Sequence, residues 1–124
     1  MTIAEVAEKY GLTTDTLRYY ERIGLFPPVT RTAGGIRNYT ENDCNWVHFI
    51  KCMRDAGIPV EALIDYVAMF QQGDSTREAR KQLLIEQREG LEKHIKELQE
   101  TLEHLNWKIS HYDDQMKECE KNLL

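Results

Sequence analysis

Residues 13–20 read Thr-Thr-Asp-Thr-Leu-Arg-Tyr-Tyr, which places three hydroxyls, one guanidinium and two phenols within about two helical turns. Those groups suit nucleic acid. Hydroxyls bond phosphate or base edges, Arg18 can pair bidentately with phosphate or guanine, and a tyrosine can donate to phosphate while its ring packs on sugar. Thr13, Thr14, Arg18, Tyr19 and Tyr20 are therefore the first candidates, with Arg31 and Arg37 a second basic group around Ala33-Gly34-Gly35. A plainer account of the same residues makes Leu17, Tyr20 and Ile23 core, pairs Arg18 and Arg22 with Asp15 and Glu21, and leaves residues 29–39 a mere connection. A different chemistry rests on the cysteines. Cys52 follows His48 by four residues, so the two are neighbours on a helix surface, where an imidazole can take a thiol proton. Cys44 lies eight residues away, about 12 Å along the same helix, too far for an intrachain disulfide with Cys52. The ordinary alternative is that Cys52 only fills space.

The elements that must position these groups are legible from caps and breakers. Thr2 with Glu5 has capping-box spacing, Ile3, Val6, Ala7 and Tyr10 recur at helical intervals, and Gly11 ends the helix. Thr13 is an N-cap for a second short helix that Gly24 stops. Helix, short glycine-containing turn, helix is a helix-turn-helix pattern, and its second helix is the one that enters the major groove. Pro27-Pro28 forbids helix, and residues 29–39 read as two short strands around a glycine turn, a β-hairpin wing. Thr40 with Asp43 opens a helix running to Ala56 before Gly57, with Trp46, Phe49, Ile50 and Met53 as its buried face and Cys52 just off it. Pro59 suits the first turn of another that ends near Gln72-Gly73.

Ser75 with Glu78 has capping-box spacing again, and nothing beyond it breaks the helix before the last residues, Gly90 being the one weak point. Leu91, Ile95, Leu98, Leu102, Leu105, Ile109, Tyr112, Met116, Cys119 and Leu123 alternate at intervals of four and three, the 3.5-residue period of a coiled coil. At ~1.5 Å per residue the 76–121 stretch reaches about 69 Å, so its apolar stripe calls for a second chain. The expected architecture is mostly α: a winged helix-turn-helix head over 1–72 (core 2–24, wing 29–39, helices 40–56 and 59–72) and a dimerisation helix over 75–121. Trp107 falls opposite the seam, where it could pack on the partner's head or be used by a ligand.

Net charge points away from nucleic acid until it is mapped. The 124 residues hold 21 acidic and 16 basic side chains, a balance of −5. Residues 1–58 carry seven of each, and within 16–54 the six cations Arg18, Arg22, Arg31, Arg37, Lys51 and Arg54 face only Glu21, Glu41 and Asp43. The acidity belongs to residues 59–124, so DNA binding should weaken with salt, but less steeply than for a strongly basic repressor. No apolar run reaches membrane-spanning length, the start lacks signal-peptide regions, and three cysteines at unpaired-looking spacings suit a reducing cytoplasm. No acid–base pair, phosphate loop or nucleophile triad suggests an enzyme.

Ile3-Ala4-Glu5-Val6-Ala7, Gly11-Leu12-Thr13, Thr16-Leu17-Arg18-Tyr19-Tyr20-Glu21, Gly24-Leu25 and Pro28 together resemble the MerR family of bacterial transcription regulators. The likeness continues through Gly35-Ile36-Arg37-Asn38-Tyr39, Ile50-Lys51, Met53-Arg54 and Gly57-Ile58 to the long terminal coil, with Ile36 standing where many relatives have a tyrosine. The resemblance implies a homodimer joined by an antiparallel coil. It would bind double-stranded promoter DNA between hexamers set too far apart, and bend and untwist it for RNA polymerase. Such deformation costs about 1–6 kcal/mol and needs many phosphate contacts. Carried over by position, Arg18, Tyr19 and Tyr20 would contact DNA from the recognition helix, Arg37 and Tyr39 from the wing, and Arg54 from the following helix.

The resemblance also bears on what is sensed. Metal-sensing members have a cysteine at the start of the long helix and two more in a C-terminal loop; this chain has Ser75 and Thr76 at that start and only Cys119 near the end. No thiolate metal site or other cofactor is expected, and 124 residues leave no room for an appended drug-binding domain. His104 and His111 read as surface residues. Cys52 on the third helix resembles the thiol of the subgroup responding to aldehydes, other electrophiles or nitrosative stress, with His48 its neighbour. Two alternatives stand beside that reading: a small apolar ligand held between head and coil with Cys52 inert, and a coiled-coil adaptor that binds no DNA.

Overall fold

The computed structural model describes residues 1–116, 121 and 123, with Gln115 and Met116 described by their backbone alone. Among them the order is α1 (Ile3–Tyr10), α2 (Thr14–Arg22), α3 (Glu41–Asp55), α4 (Val60–Gln72), a 3-10 turn (Asp74–Thr76), α5 (Arg77–Ser110) and a π turn (Tyr112–Met116). Each predicted cap of the first three helices forms. Thr2 and Glu5 close a reciprocal capping box on α1, Thr13 accepts from the Thr16 N–H to start α2, and Thr40 with Asp43 boxes α3. Gly11 ends α1 at φ 67°, a left-handed conformation that a side chain would disfavour, and this lets α2 begin three residues later.

Val6 and Ala7 of α1, Leu17 of α2, Cys44, Val47 and Ile50 of α3 and Leu63 of α4 meet in one core, joined by Leu25, Phe26, Val29, Tyr39 and Ile58 from the connections. Leu17 is 0% exposed, so the recognition helix is fixed by the side chain between its candidate contacts. The buried face of α3 is rotated from the expected one: Cys44, Val47 and Ile50 are buried, whereas Trp46, Phe49 and Met53 are half-buried. The three rings Trp46, Phe49 and Tyr66 pack with Phe70 at the outer edge of α3 and α4, which is why the bulkiest side chains do not define the core side.

The expected two-stranded wing is not present as strands. Residues 29–39 form a hairpin-like loop with one antiparallel bridge, Arg31 to Arg37, flanked by Thr32 N–H to Ile36 O (2.8 Å) and Asn38 N–H to Thr30 O (2.7 Å). The turn itself is as expected, with Gly35 at φ 81° donating to Thr32 O. The ladder stops because its next donors are spent elsewhere. Proline has no N–H at 27 and 28, the Val29 N–H goes to Glu21 Oε2 (2.7 Å), the Thr30 N–H to Asp43 Oδ2 (3.2 Å), and the Tyr39 N–H to Met1 O (2.8 Å).

Asp43 thus holds both the start of α3 and the start of that loop. Burial pushes its carboxyl up, but hydrogen bonds from Thr40 and Thr30 outweigh burial and hold it below the ordinary carboxylate value. A depressed folded-state value means stabilisation that is complete above the unfolded-state value and lost as pH falls through the folded one. Asp43→Ala is expected to cost about 1–2 kcal/mol at neutral pH, read as a lower thermal midpoint. The gap to wild type should close in acid; a gap that persists unchanged there would show that the carboxylate is not its source.

α4 starts at Val60 with Pro59 as its N-cap. The Ser75–Glu78 box does not form. Thr76 Oγ1 instead donates to the end of α4, at Met69 O (2.6 Å) and Gly73 O (2.7 Å), and accepts from Arg80 Nε (3.1 Å). Satisfying those orphan carbonyls draws residues 74–76 into the 3-10 turn, so α5 begins at Arg77.

α5 is interrupted after Ser110, inside the run to 121 that was expected to be unbroken. The Trp107 carbonyl receives the His111 N–H (3.1 Å) and the Ser110 hydroxyl (2.9 Å) and lies 2.9 Å from His111 Nδ1, and a carbonyl so occupied bends a helix. Two compact units divide the chain, Met1–Gln87 and Arg88–Leu124. On α5, Ile95, Leu98, Leu102, Leu105 and Ile109 are each at least half exposed, as is Tyr112 beyond it, while Leu91 is half-buried. Cys119 and the side chain of Met116 lie outside the described residues.

Candidate nucleic-acid interface

The first turns of α2 present Thr13, Thr14, Asp15 and Arg18. Thr13 Oγ1 is committed to capping and lies 2.8 Å from Thr16 Oγ1. Arg18 NH1 reaches Asp15 Oδ1 at 3.2 Å and Thr14 Oγ1 at 3.4 Å, an exposed arrangement on a single helix face. Asp15 is 95% exposed, so this pair is weak and a phosphate can displace it. Tyr19 is exposed, with the Arg22 guanidinium 5.3 Å from its ring centre, and Tyr20 is half-buried against the core. The DNA-facing and the core readings of α2 are therefore both present, on different faces: Leu17 and part of Tyr20 inward, Arg18 and Tyr19 outward.

Two candidates have structural duties. Arg54 NH1 donates to Ile58 O at 2.7 Å, closing the turn between α3 and α4. Tyr39 is 2% exposed and belongs to the core, so its ring does not stand on the surface expected of a wing contact; packing within the core cluster and the backbone N–H bond to Met1 O draw it inward. Its hydroxyl is buried without a hydrogen-bond partner among the described residues, and burial together with the nearby Glu21 charge pushes its pKa up.

The residue that sequence reading placed only as a partner for a neighbouring arginine is Glu21. Its carboxylate accepts from Arg37 Nε (2.8 Å) and the Val29 N–H (2.7 Å), and Arg31 NH2 lies 3.8 Å away. Like charges directly across a β-bridge repel, and Glu21 between Arg31 and Arg37 is what makes that bridge tolerable. An acid in a helix otherwise suited to phosphate was the available hint.

On α3, Cys52 is exposed, its Sγ 3.7 Å from His48 Nε2, while Cys44 is buried with its Sγ 3.9 Å from Met1 Sδ. The His48 ring in turn packs on Tyr10 at 6.0 Å. A cavity of about 270 Å³ opens beside α3 and α4, lined by Asn42, Asn45, Trp46, Phe49, Tyr66 and Phe70. Trp107 is half exposed and stacks on His111 at 4.6 Å. Among the described residues no three His, Cys, Asp or Glu side chains stand close enough together to hold a metal ion, and no helix is long and apolar enough to cross a membrane.

A helix-turn-helix with an outward guanidinium, phenol and hydroxyls, braced by a cation-bearing loop, is the head of a DNA-binding regulator. The chain belongs to the MerR family: residues 1–69 match the MerR HTH family regulatory protein and residues 45–108 the DNA-binding MerR region. It is 57% identical over 91 residues to the HTH-type transcriptional regulator AdhR of Bacillus subtilis, a stretch covering 73% of this chain and 65% of that relative's length.

Among solved structures, a MerR family transcriptional regulator from Listeria monocytogenes superposes with a TM-score of 0.89 at 45% identity, over 99% of this chain and 93% of the other. HiNmlR, a MerR family regulator lacking the sensor domain and bound to promoter DNA, gives a TM-score of 0.83 at 31% identity over 94% and 92%. The chain is thus a transcription regulator and not an enzyme, and the adaptor reading falls.

Proposed function

We propose that the chain acts as a homodimer, joined through an antiparallel coil of α5, that distorts double-stranded promoter DNA for RNA polymerase in the cytoplasm and responds to aldehydes and related electrophiles through Cys52. The observation that carries the sensing part is the exposed Cys52 Sγ 3.7 Å from His48 Nε2. In the proposed step sulfur attacks the aldehyde carbon, an S–C bond forms, the carbonyl π pair moves to oxygen, and the thiol proton passes through His48 to that oxygen. No oxidant is needed. The adduct would sit on α3, whose first turn anchors Thr30 of the arginine-bearing loop through Asp43.

Cys52→Ser tests this. An aldehyde- or quinone-driven promoter response should be lost, while DNA affinity changes by no more than about 0.5 kcal/mol, as for other exposed substitutions. A response that survives would sink the thiol reading. It would favour a second one, supported by the aromatic cavity between α3 and α4: an apolar effector held against Trp46, Tyr66 and Phe70, with Cys52 inert. Phe70→Ala would then remove the response that Cys52→Ser spares.

A further inference from the structure

We propose that Glu21 is a positioning residue for DNA binding: it holds Arg37 by Nε, so that the terminal guanidinium nitrogens meet the phosphate backbone at a fixed offset from the recognition helix. A carboxylate on that helix opposes DNA unless it is neutralised where it stands. Glu21 is: its side chain is 11% exposed, and Arg37 Nε, the Val29 N–H and Arg31 surround it.

The two acids of α2 differ in kind. Asp15 pairs with Arg18 in solvent and can yield to a phosphate, whereas Glu21 is enclosed and its pair persists when DNA arrives. Arginine has donors to spare for this. Nε serves Glu21, and the four terminal N–H groups of Arg37 have no other hydrogen bond among the described residues. The same carboxylate fixes residue 29, where the loop begins, and Arg31 closes the loop onto Gly35 O at 3.0 Å. One side chain of the recognition helix therefore sets both the start of the loop and the orientation of its cation. The proposal rests on the family's DNA binding and is independent of Cys52.

The test uses full-length Glu21→Gln and Arg37→Lys, a DNA duplex enriched by the wild-type protein from a randomised pool, and poly(dI-dC) as the non-specific probe. Affinity for each is measured across a salt series, beside the thermal midpoint. Glu21→Gln should lower affinity for the enriched duplex by about ten- to hundredfold. Affinity for poly(dI-dC) should hold or rise, with a salt slope steeper by up to about one unit per head, because each head gains one net positive charge. Arg37→Lys keeps the charge but has no fork, and should reproduce the specific loss with non-specific binding unchanged; it decides the matter if Glu21→Gln does not fold. Parallel loss on both DNAs with a fallen midpoint would reduce Glu21 to a fold-stabilising residue, and parallel gain to a counter-charge. Either result, or wild-type behaviour of Arg37→Lys, overturns the proposal. A wild-type protein that enriches no duplex would overturn the DNA reading with it.

Discussion

Arg18→Ala is expected to remove sequence-specific DNA binding while leaving the fold and the oligomeric state in place. The two outcomes separate because of where Arg18 spends its bonds. Its partners are Asp15 and Thr14, on its own helix and in solvent, and an exposed i,i+3 pair contributes about 0–1 kcal/mol to stability. Against DNA the same guanidinium can form a bidentate contact, each good one being worth about 1–3 kcal/mol of discrimination. The proposed dimer loses it twice, so the expected loss is about 2–6 kcal/mol, or between roughly thirtyfold and twenty-five-thousandfold in affinity. A fluorescence-anisotropy titration on an enriched duplex, beside a thermal melt, reads both. Wild-type affinity in the variant would mean that α2 docks by its backbone and hydroxyls and that Arg18 is a bystander. An equal fall on non-specific DNA would make it a phosphate contact without base readout.

The parts of the fold that could be read from sequence are those written locally. Thr2, Thr13 and Thr40 each place an oxygen within reach of an N–H three residues on, and that geometry needs nothing distant. Gly11 and Gly35 announce left-handed backbone in the same way. Where a local pattern competes with a group elsewhere in the chain, reading fails. The Ser75–Glu78 spacing is sound, but Thr76 is claimed by carbonyls of the preceding helix. The residues 29–39 alternate and turn as strands do, but their outer donors are taken by Glu21, Asp43 and Met1, residues up to 38 positions away. Hydrophobicity likewise overstated Trp46 and Phe49 as core, because burial on α3 follows which face meets α1 rather than which residues are largest.

The candidate site divides along the same line. Arg18 and Tyr19 are outward by helical position alone, and the structure leaves them so. Tyr39 was assigned by motif position, and motif position does not state depth; the ring is core and its hydroxyl lacks a partner among the described residues. Arg54 was assigned to DNA by family position, and motif position does not show that its NH1 also closes the turn onto Ile58 O. Glu21 inverts the usual way of reading a DNA-binding helix. Counting cations finds the residues that touch phosphate, but the acid among them tells which cation is oriented and by what. The thiol was legible as a helical neighbour of His48, and the 3.7 Å separation agrees.

Leu102→Glu is expected to convert the proposed dimer to folded monomers and, through that, to lower operator affinity. Ile95, Leu98, Leu102, Leu105 and Ile109 remain at least half exposed on α5, each an apolar side chain that gains about 1.5–3 kcal/mol when fully buried. Leu102 lies within the row that runs on from Leu91, so the proposed pair buries residue 102 of each copy in the seam. A carboxylate there would be buried with no countercharge, a cost of about 3–5 kcal/mol for one unpaired buried ion. The head should be untouched, because its core draws on α1 to α4 and their connections. Sedimentation equilibrium should report the protomer mass with an unchanged head melt, and Leu102→Met, which conserves volume, should still dimerise. With one head per molecule the duplex loses bivalent engagement, which by itself weakens binding by about a hundredfold or more. A dimer that survives Leu102→Glu would place the interface off this stripe. Since the stripe repeats every 3.5 residues over the described length of α5, such a result would leave its periodicity without a cause, and that makes this substitution the most severe test of the proposed assembly.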